Sequence, residues 1–233
     1  MLRLPRFRRA FARRRLVRIA AAAVGVMFLA PISLILIYRV APPPVTPLML
    51  IRSIEGDGAE RSWASLDELP AHAALAVIAA EDNRFCEHAG FDWDAIGDAI
   101  DEARAGERLR GASTISMQLT RNLFLWPGGG WARKGLEALW TPAVELLLPK
   151  RRIVELYLNV VETGRGTFGF AAAADRYFGS SPAGLTRRQS AAIAAVLPNP
   201  REWSPTRGYG ARRAGVLVRR MRDVAPLAVC VTG

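Results

Sequence analysis

Two neighbouring carboxylates, Glu81 and Asp82, stand at the end of an apolar run, Leu75-Ala76-Val77-Ile78-Ala79-Ala80. Acids at such a place are costly to bury unless they are paired or the position needs a carboxylate. An apolar helix end and an acidic neighbour both raise a carboxyl group's proton affinity, which suits a general base. The plainer reading is a helix terminus whose acids are solvated. In a second group, Arg133 and Lys134 precede Glu137 by four and three residues, on one helical face. That spacing also describes an ordinary intrahelical salt bridge. In a third, Thr114, Gln118 and Arg121 fall at i, i+4 and i+7 behind a Ser113 or Thr114 cap. A cap, a helix N-terminus and an arginine make an anion site, or equally the polar side of an amphipathic helix. Phe85 and His88 follow the acid pair and read as pocket-shaping residues, with His88 a structural hydrogen-bonder. Cys86 and His88 lack the further ligands a zinc ion needs, and no Ser/His/Asp triad is suggested.

These groups must be carried by helices. Apolar periodicity and caps predict helices over 71–80, 93–105, 115–123, 131–148, 150–161, 170–178, 186–197 and 211–223. Ser65 and Glu68 have capping-box spacing, and Pro70 suits a first helical turn. Ile153, Leu156, Tyr157 and Val160 are expected to face inward. The stretch 48–54 reads as a short strand or an extended lead-in, and 106–111 as a charged loop. Gly164, Gly166 and Gly169 mark a tight turn. Trp126 and Trp131, flanking a glycine-rich loop, suit either a lipid interface or a core. No alternation is long enough for a sheet, so the fold class is all-α.

The chain has 233 residues and a formal charge of +11, most of it on Arg3, Arg6, Arg8, Arg9, Arg13, Arg14, Arg15 and Arg18. The apolar segment 19–38 follows at once and is long enough to cross a bilayer. That order favours a topogenic tail over a nucleic-acid-binding arm, and the positive-inside rule places the N-terminus in the cytoplasm. A cleaved signal peptide is the alternative. The expected division is a basic cytoplasmic tail 1–18, a transmembrane helix 19–38, a proline-rich linker and lead-in 39–65, a catalytic domain 66–223 and a C-terminal tail 224–233. Cys86 and Cys230 are the only cysteines, and they are not expected to pair.

The stretch 77–92 (VIAAEDNRFCEHAGFD) resembles the first motif of the peptidoglycan glycosyltransferases, glycosyltransferase family 51. Residues 110–122 (RGASTISMQLTRN), 133–137 (RKGLE), 150–169 (KRRIVELYLNVVETGRGTFG) and 191–205 (AAIAAVLPNPREWSP) resemble the remaining motifs, in order. With no room for a transpeptidase domain, the chain is similar to the monofunctional biosynthetic transglycosylases. The resemblance implies an all-α, lysozyme-like domain in the bacterial inner membrane, facing the periplasm. It implies polymerisation of lipid II into β-1,4 glycan strands, with inversion and release of undecaprenyl diphosphate, in cell wall biogenesis. It implies Glu81 as the base and Glu137 as the second key carboxylate. Arg121, Arg133 and Lys134 would clamp the diphosphate, and Thr114 and Gln118 would contact phosphate or sugar.

Asp82, Phe85 and His88 would shape the pocket, while Asn159, Arg151 and Glu155 brace it. A divalent cation, Mg2+ or Mn2+, is expected with the diphosphate, and no organic cofactor. The expected partners are lipid II, the growing strand, the membrane and other cell-wall proteins, with no nucleic acid. The chain departs from the family in two places: Arg121 stands where lysine is common, and Met117 where a polar residue is common. A lysozyme-like glycan-cleaving enzyme would share the helical cleft and glutamate but would not need the Arg133, Lys134 and Glu137 set. A catalytically dead anchor or scaffold protein would need neither glutamate.

Overall fold

A computed structural model describes residues 6–106 and 111–232. The charged loop expected over 106–111 falls largely on residues 107–110 and lies outside the described residues. The longest helix, α1 (Arg6–Tyr38), runs from the basic segment through the apolar one without a break. Its stretch Arg14–Tyr38 spans 25 residues and is long and apolar enough to cross a membrane. Ile35 and Tyr38, at its end, are buried against the rest of the chain.

The proline-rich segment behind α1 is clasped by guanidinium groups. Arg152 donates to the carbonyls of Tyr38 and Ala41, both at 2.8 Å. Arg61 donates to Pro43 (2.6 Å) and Pro44 (3.1 Å), and Arg39 to Leu147 (2.7 Å). Pro43 and Pro44 have no N–H, so their carbonyls bond to side chains rather than to a ladder. Next comes α2 (Pro47–Ile54), where a strand or extended lead-in was expected. Thr46 and Pro47 decide this locally. The Thr46 hydroxyl accepts from the Met49 N–H at 3.3 Å, and Pro47 fits the first turn.

After β1 (Glu60–Arg61) comes α3 (Ala71–Glu81), buried on every side from Ala73 to Ala79. A helix apolar all round has no solvent face, and its alanines let neighbours approach closely. Around it lie α7 (Lys150–Val160), α9 (Arg187–Ala195) and α10 (Gly208–Val224). The elements α4 (Trp93–Arg104), α5 (Ile115–Phe124) and α6 (Trp131–Leu147) follow α3 in sequence, and α5 packs on both α6 and α7. The inward set Ile153, Leu156, Tyr157 and Val160 is fully buried.

A small sheet that the sequence did not suggest lies beside α8 (Gly169–Phe178). It is formed by β1, β2 (Glu162–Gly164) and β3 (Thr167–Phe168), in the order β1-β3-β2. Strands of two or three residues are too short to show alternation. Gly166, at φ +68, turns the β2–β3 hairpin against the Asp57 carbonyl, where a Cβ would collide.

The expectation that the cysteines stay apart is overturned: Cys86 and Cys230 form a disulfide across 144 residues of sequence. The reason lies in the segment read as a tail. A short turn at Ala225–Leu227 leads into α11 (Val229–Thr232), which packs on α7 and α3. Ala228 and Val231 are buried, and Arg151 donates to the Val231 carbonyl at 2.7 Å. A four-residue helix, three of its residues apolar, carries no periodicity to read. Trp131 is 94 % exposed and Trp126 47 %, which excludes the core reading for both.

Candidate active site

Glu81 is the last residue of α3, and its two oxygens differ. Oε2 accepts from the Gln118 amide at 2.9 Å, while Oε1 is sealed from solvent with no hydrogen-bond partner. Burial pushes the Glu81 carboxyl above its ordinary range. The Gln118 hydrogen bond and the charges of Arg213 and Arg121 oppose that rise, and Asp82 adds to it least. The carboxylate is therefore strained towards taking a proton, chiefly by desolvation rather than by its acidic neighbour.

Gln118 is held from behind. Its Oε1 accepts from the Tyr157 hydroxyl at 2.9 Å, which leaves the amide nitrogen facing Glu81. Burial pushes the Tyr157 phenol well above its usual range, so it remains a neutral donor. Tyr157 reads in sequence only as a core residue, and its polar tip gives no signal there.

Asp82 ties two helices together. Oδ2 accepts from the Ile115 N–H, at the start of α5, and Oδ1 pairs with His88 Nε2, both at 2.9 Å. The Gly90 N–H donates to His88 Nδ1 at 3.1 Å, which assigns the ring proton to Nε2. His88 is thus structural, as its lone position suggested. Thr114 donates to the Gly90 carbonyl at 2.6 Å and accepts from Met117 N–H at 3.2 Å. The hydroxyl proton is thus committed to a loop carbonyl, while the residue, though largely buried, lines the cleft beside Glu81.

Gly90, at φ +96, faces Thr141 so closely that a Cβ would clash with its methyl group. Phe85 is fully buried beneath the Lys150 ammonium, 4.2 Å above its ring. Lys150 also donates to the His88 carbonyl at 2.7 Å and pairs with Glu145 at 2.9 Å. Among the bracing residues, Asn159 is buried and bonds the Ala64 backbone in both directions. Arg151 reaches Asp67 (2.9 Å), and Glu155 pairs with Arg152 (2.9 Å).

Glu137, on α6, is only 1 % exposed. Arg133 donates to Oε1 at 2.7 Å, and the Lys134 ammonium lies 3.1 Å from Oε2. That second contact is not aligned as a hydrogen bond, so Oε2 accepts none, and the buried Arg133 Nε also lacks a partner. Lys134 donates instead to Ser113 Oγ at 2.9 Å, while the Ser113 carbonyl accepts from Gln118 at 3.3 Å. Ser113 therefore links the Glu137 group to the Glu81 group.

Three recesses surround these residues. A cleft of about 570 Å3 exposes Glu81, Asp82, Arg84, Ser113, Gln118 and Arg213. A second, of about 330 Å3, lies beyond Gln118 and holds Arg121, Asn122, Arg52 and Arg201. The Arg121 guanidinium makes no hydrogen bond or ion pair among the described residues. An open apolar groove lined by Ile96, Ile100, Met117 and Trp131 also includes Ser113, Arg104 and Lys134 in its wall. The three expected cations are thus divided: Arg121 lies on one side of Gln118, and Arg133 and Lys134 are linked through Ser113. Arg213 and Tyr157 are the residues missed.

The chain belongs to the transglycosylase family, whose sequence pattern matches residues 49–222. Its mostly helical, lysozyme-like class follows from that membership. A biosynthetic peptidoglycan transglycosylase of Rhodospirillum centenum is 49 % identical over 222 residues, covering 93 % of this chain and 96 % of its own. One from Caulobacter vibrioides is 47 % identical over 193 residues, 83 % and 84 % of the two chains. One from Ectopseudomonas mendocina is 49 % identical over 206 residues, 85 % of each.

Proposed function

We propose that this chain is a glycosyltransferase that polymerises lipid II into β-1,4 glycan strands at the bacterial inner membrane. Glu81 accepts the proton of the acceptor 4-hydroxyl as its oxygen attacks the anomeric carbon of the growing strand. The bond from that carbon to the diphosphate oxygen breaks, and its electron pair leaves with undecaprenyl diphosphate. Attack opposite the leaving group turns an α linkage into β. The observation that carries the reading is the set of orphaned atoms. Of five buried side-chain polar atoms without hydrogen bonds among the described residues, three, Glu81 Oε1, Glu137 Oε2 and Arg133 Nε, are on residues picked out by sequence; the others are Trp140 Nε1 and Ser190 Oγ.

Arg121, Arg133 and Lys134 hold the diphosphate, where fixed cations are most useful as leaving-group charge develops. Thr114 braces the site, and Gln118 positions Glu81. The apolar groove that Lys134 helps to line gives a polyprenyl chain a place beside that cation. The apolar length of α1 supports a single-pass anchor, and the arginines before it support an N-terminus in the cytoplasm with the domain in the periplasm. The residues do not fit a resident metal. No group of three His, Cys, Asp or Glu gathers among the described residues, and Glu137 already faces two cations. Any Mg2+ or Mn2+ belongs with the substrate's diphosphate, and no step here is routed through it. Full-length protein incubated with labelled lipid II should yield a ladder of polymer that Glu81→Gln abolishes. Undiminished polymer from that variant would remove Glu81 as the base.

A further inference from the structure

Arg213 reaches Glu81's surroundings from the opposite side to Gln118. It lies on α10, which packs against both α3 and α9. Nη1 donates to the Ala195 carbonyl, near the end of α9, at 2.8 Å. Nη2 lies 3.4 Å from the carbonyl of Ala80, the residue before Glu81. Both bonds go to neutral backbone, and no carboxylate among the described residues forms an ion pair with the guanidinium. The residue lines the same cleft as Glu81.

We infer that Arg213 is a positioning residue: it seats the α3 terminus and fixes a positive charge in the cleft that Glu81 lines. The geometry makes this a fixed rather than a mobile charge, because two carbonyls on two helices hold one planar group. Other charged or titratable groups face the cleft as well. Asp82, on the segment behind α3, is committed to His88 and Ile115. Arg84 pairs with Glu87 and Asp94 and approaches Asp92. Arg121 acts from α5, Tyr157 from α7 is neutral, and Arg220 lies further along α10. Of the two cations acting on Glu81, only Arg213 touches the backbone that carries it.

The inference uses the proposed role of Glu81 as base, so the experiment separates the two. In full-length protein labelled with 13C-glutamate, Glu81→Gln identifies the Glu81 carboxyl resonance, whose titration requires no turnover. Arg213→Gln keeps a donor without the charge, and Arg213→Met keeps the apolar stem. In either folded variant, the Glu81 midpoint should rise by about one pH unit. The acid limb of the polymerisation rate should move with it, while KM changes little. Arg213→Lys should restore both towards wild type. An unmoved midpoint in the neutral variants, or a shift that lysine leaves uncorrected, overturns the inference. Retained activity in Glu81→Gln would instead remove the base assignment and leave the titration result standing.

Discussion

Glu81, half-buried at the rim of its cleft, and Glu137, fully buried, are two glutamates with opposite surroundings. Glu81 has one neutral amide donor and an unpartnered oxygen, and burial raises its proton affinity. Glu137 lies between a guanidinium 2.7 Å away and an ammonium 3.1 Å away. The first is built to take up a proton, the second to hold two cations in place. A buried carboxylate thus serves as base or as anchor according to what its neighbours can donate.

The same neutral substitution should separate the two. Glu81→Gln should cut polymerisation by roughly a thousandfold, yet leave the fold intact. The variant should also melt about 2–4 °C above wild type near neutral pH, for each 1 kcal/mol of relieved burial cost. Glu137→Gln should lose roughly a hundredfold in rate and destabilise the domain by about 3 kcal/mol, because Arg133 is left buried without its counter-charge. Calorimetry on both proteins gives the comparison directly. Melting shifts of the same sign would break it. If Glu137 organises the diphosphate together with a cation, Glu137→Gln should also weaken the dependence of rate on Mg2+. An unchanged Mg2+ response would count against that role.

A smaller effect sharpens the Glu81 side. A carboxyl raised in the folded state binds protons there that the unfolded chain has released. Its contribution therefore favours folding least at high pH, and stability falls as pH rises from the ordinary glutamate range through the raised value. The melting gap between Glu81→Gln and wild type should close as pH drops below about 4. A gap independent of pH would mean that the two side chains differ in packing rather than in charge.

The smallest effect on chemistry should come from the disulfide. Cys230→Ser should lower stability by about 2–4 kcal/mol while the rate at low temperature stays within about twofold of wild type. A larger loss of rate would show that the brace behind Phe85 also aligns Glu81.

Much of this was legible because it is local. Glu81 at a helix end, Thr114 as a cap and the Arg133, Lys134 and Glu137 face are all statements about spacing within one element. What escaped was tertiary. Tyr157 sits on a face that reads as core, and only its hydroxyl contact with Gln118 shows its use. Arg213 is one of several arginines on α10, and nothing in their spacing says which one turns towards α3. Cys86 and Cys230 meet because α11 folds back, and four residues hold too little pattern to say so. The strand reading of 48–54 lost to a cap, Thr46-Pro47, just outside the segment considered. Thr114 was legible as a cap, but its bond to Gly90 was not, because that partner lies on another loop.

The clasped segment behind α1 has a consequence for orientation. Arg39, Arg61 and Arg152 fasten the segment 38–44 to the body of the domain, so no slack tether separates the domain from α1. A helix that tilts to suit the thickness of the bilayer would therefore carry the Glu81 cleft with it, as a rigid arm carries a tool. The height and heading at which the cleft meets the lipid surface would then depend on the membrane itself as well as on the domain.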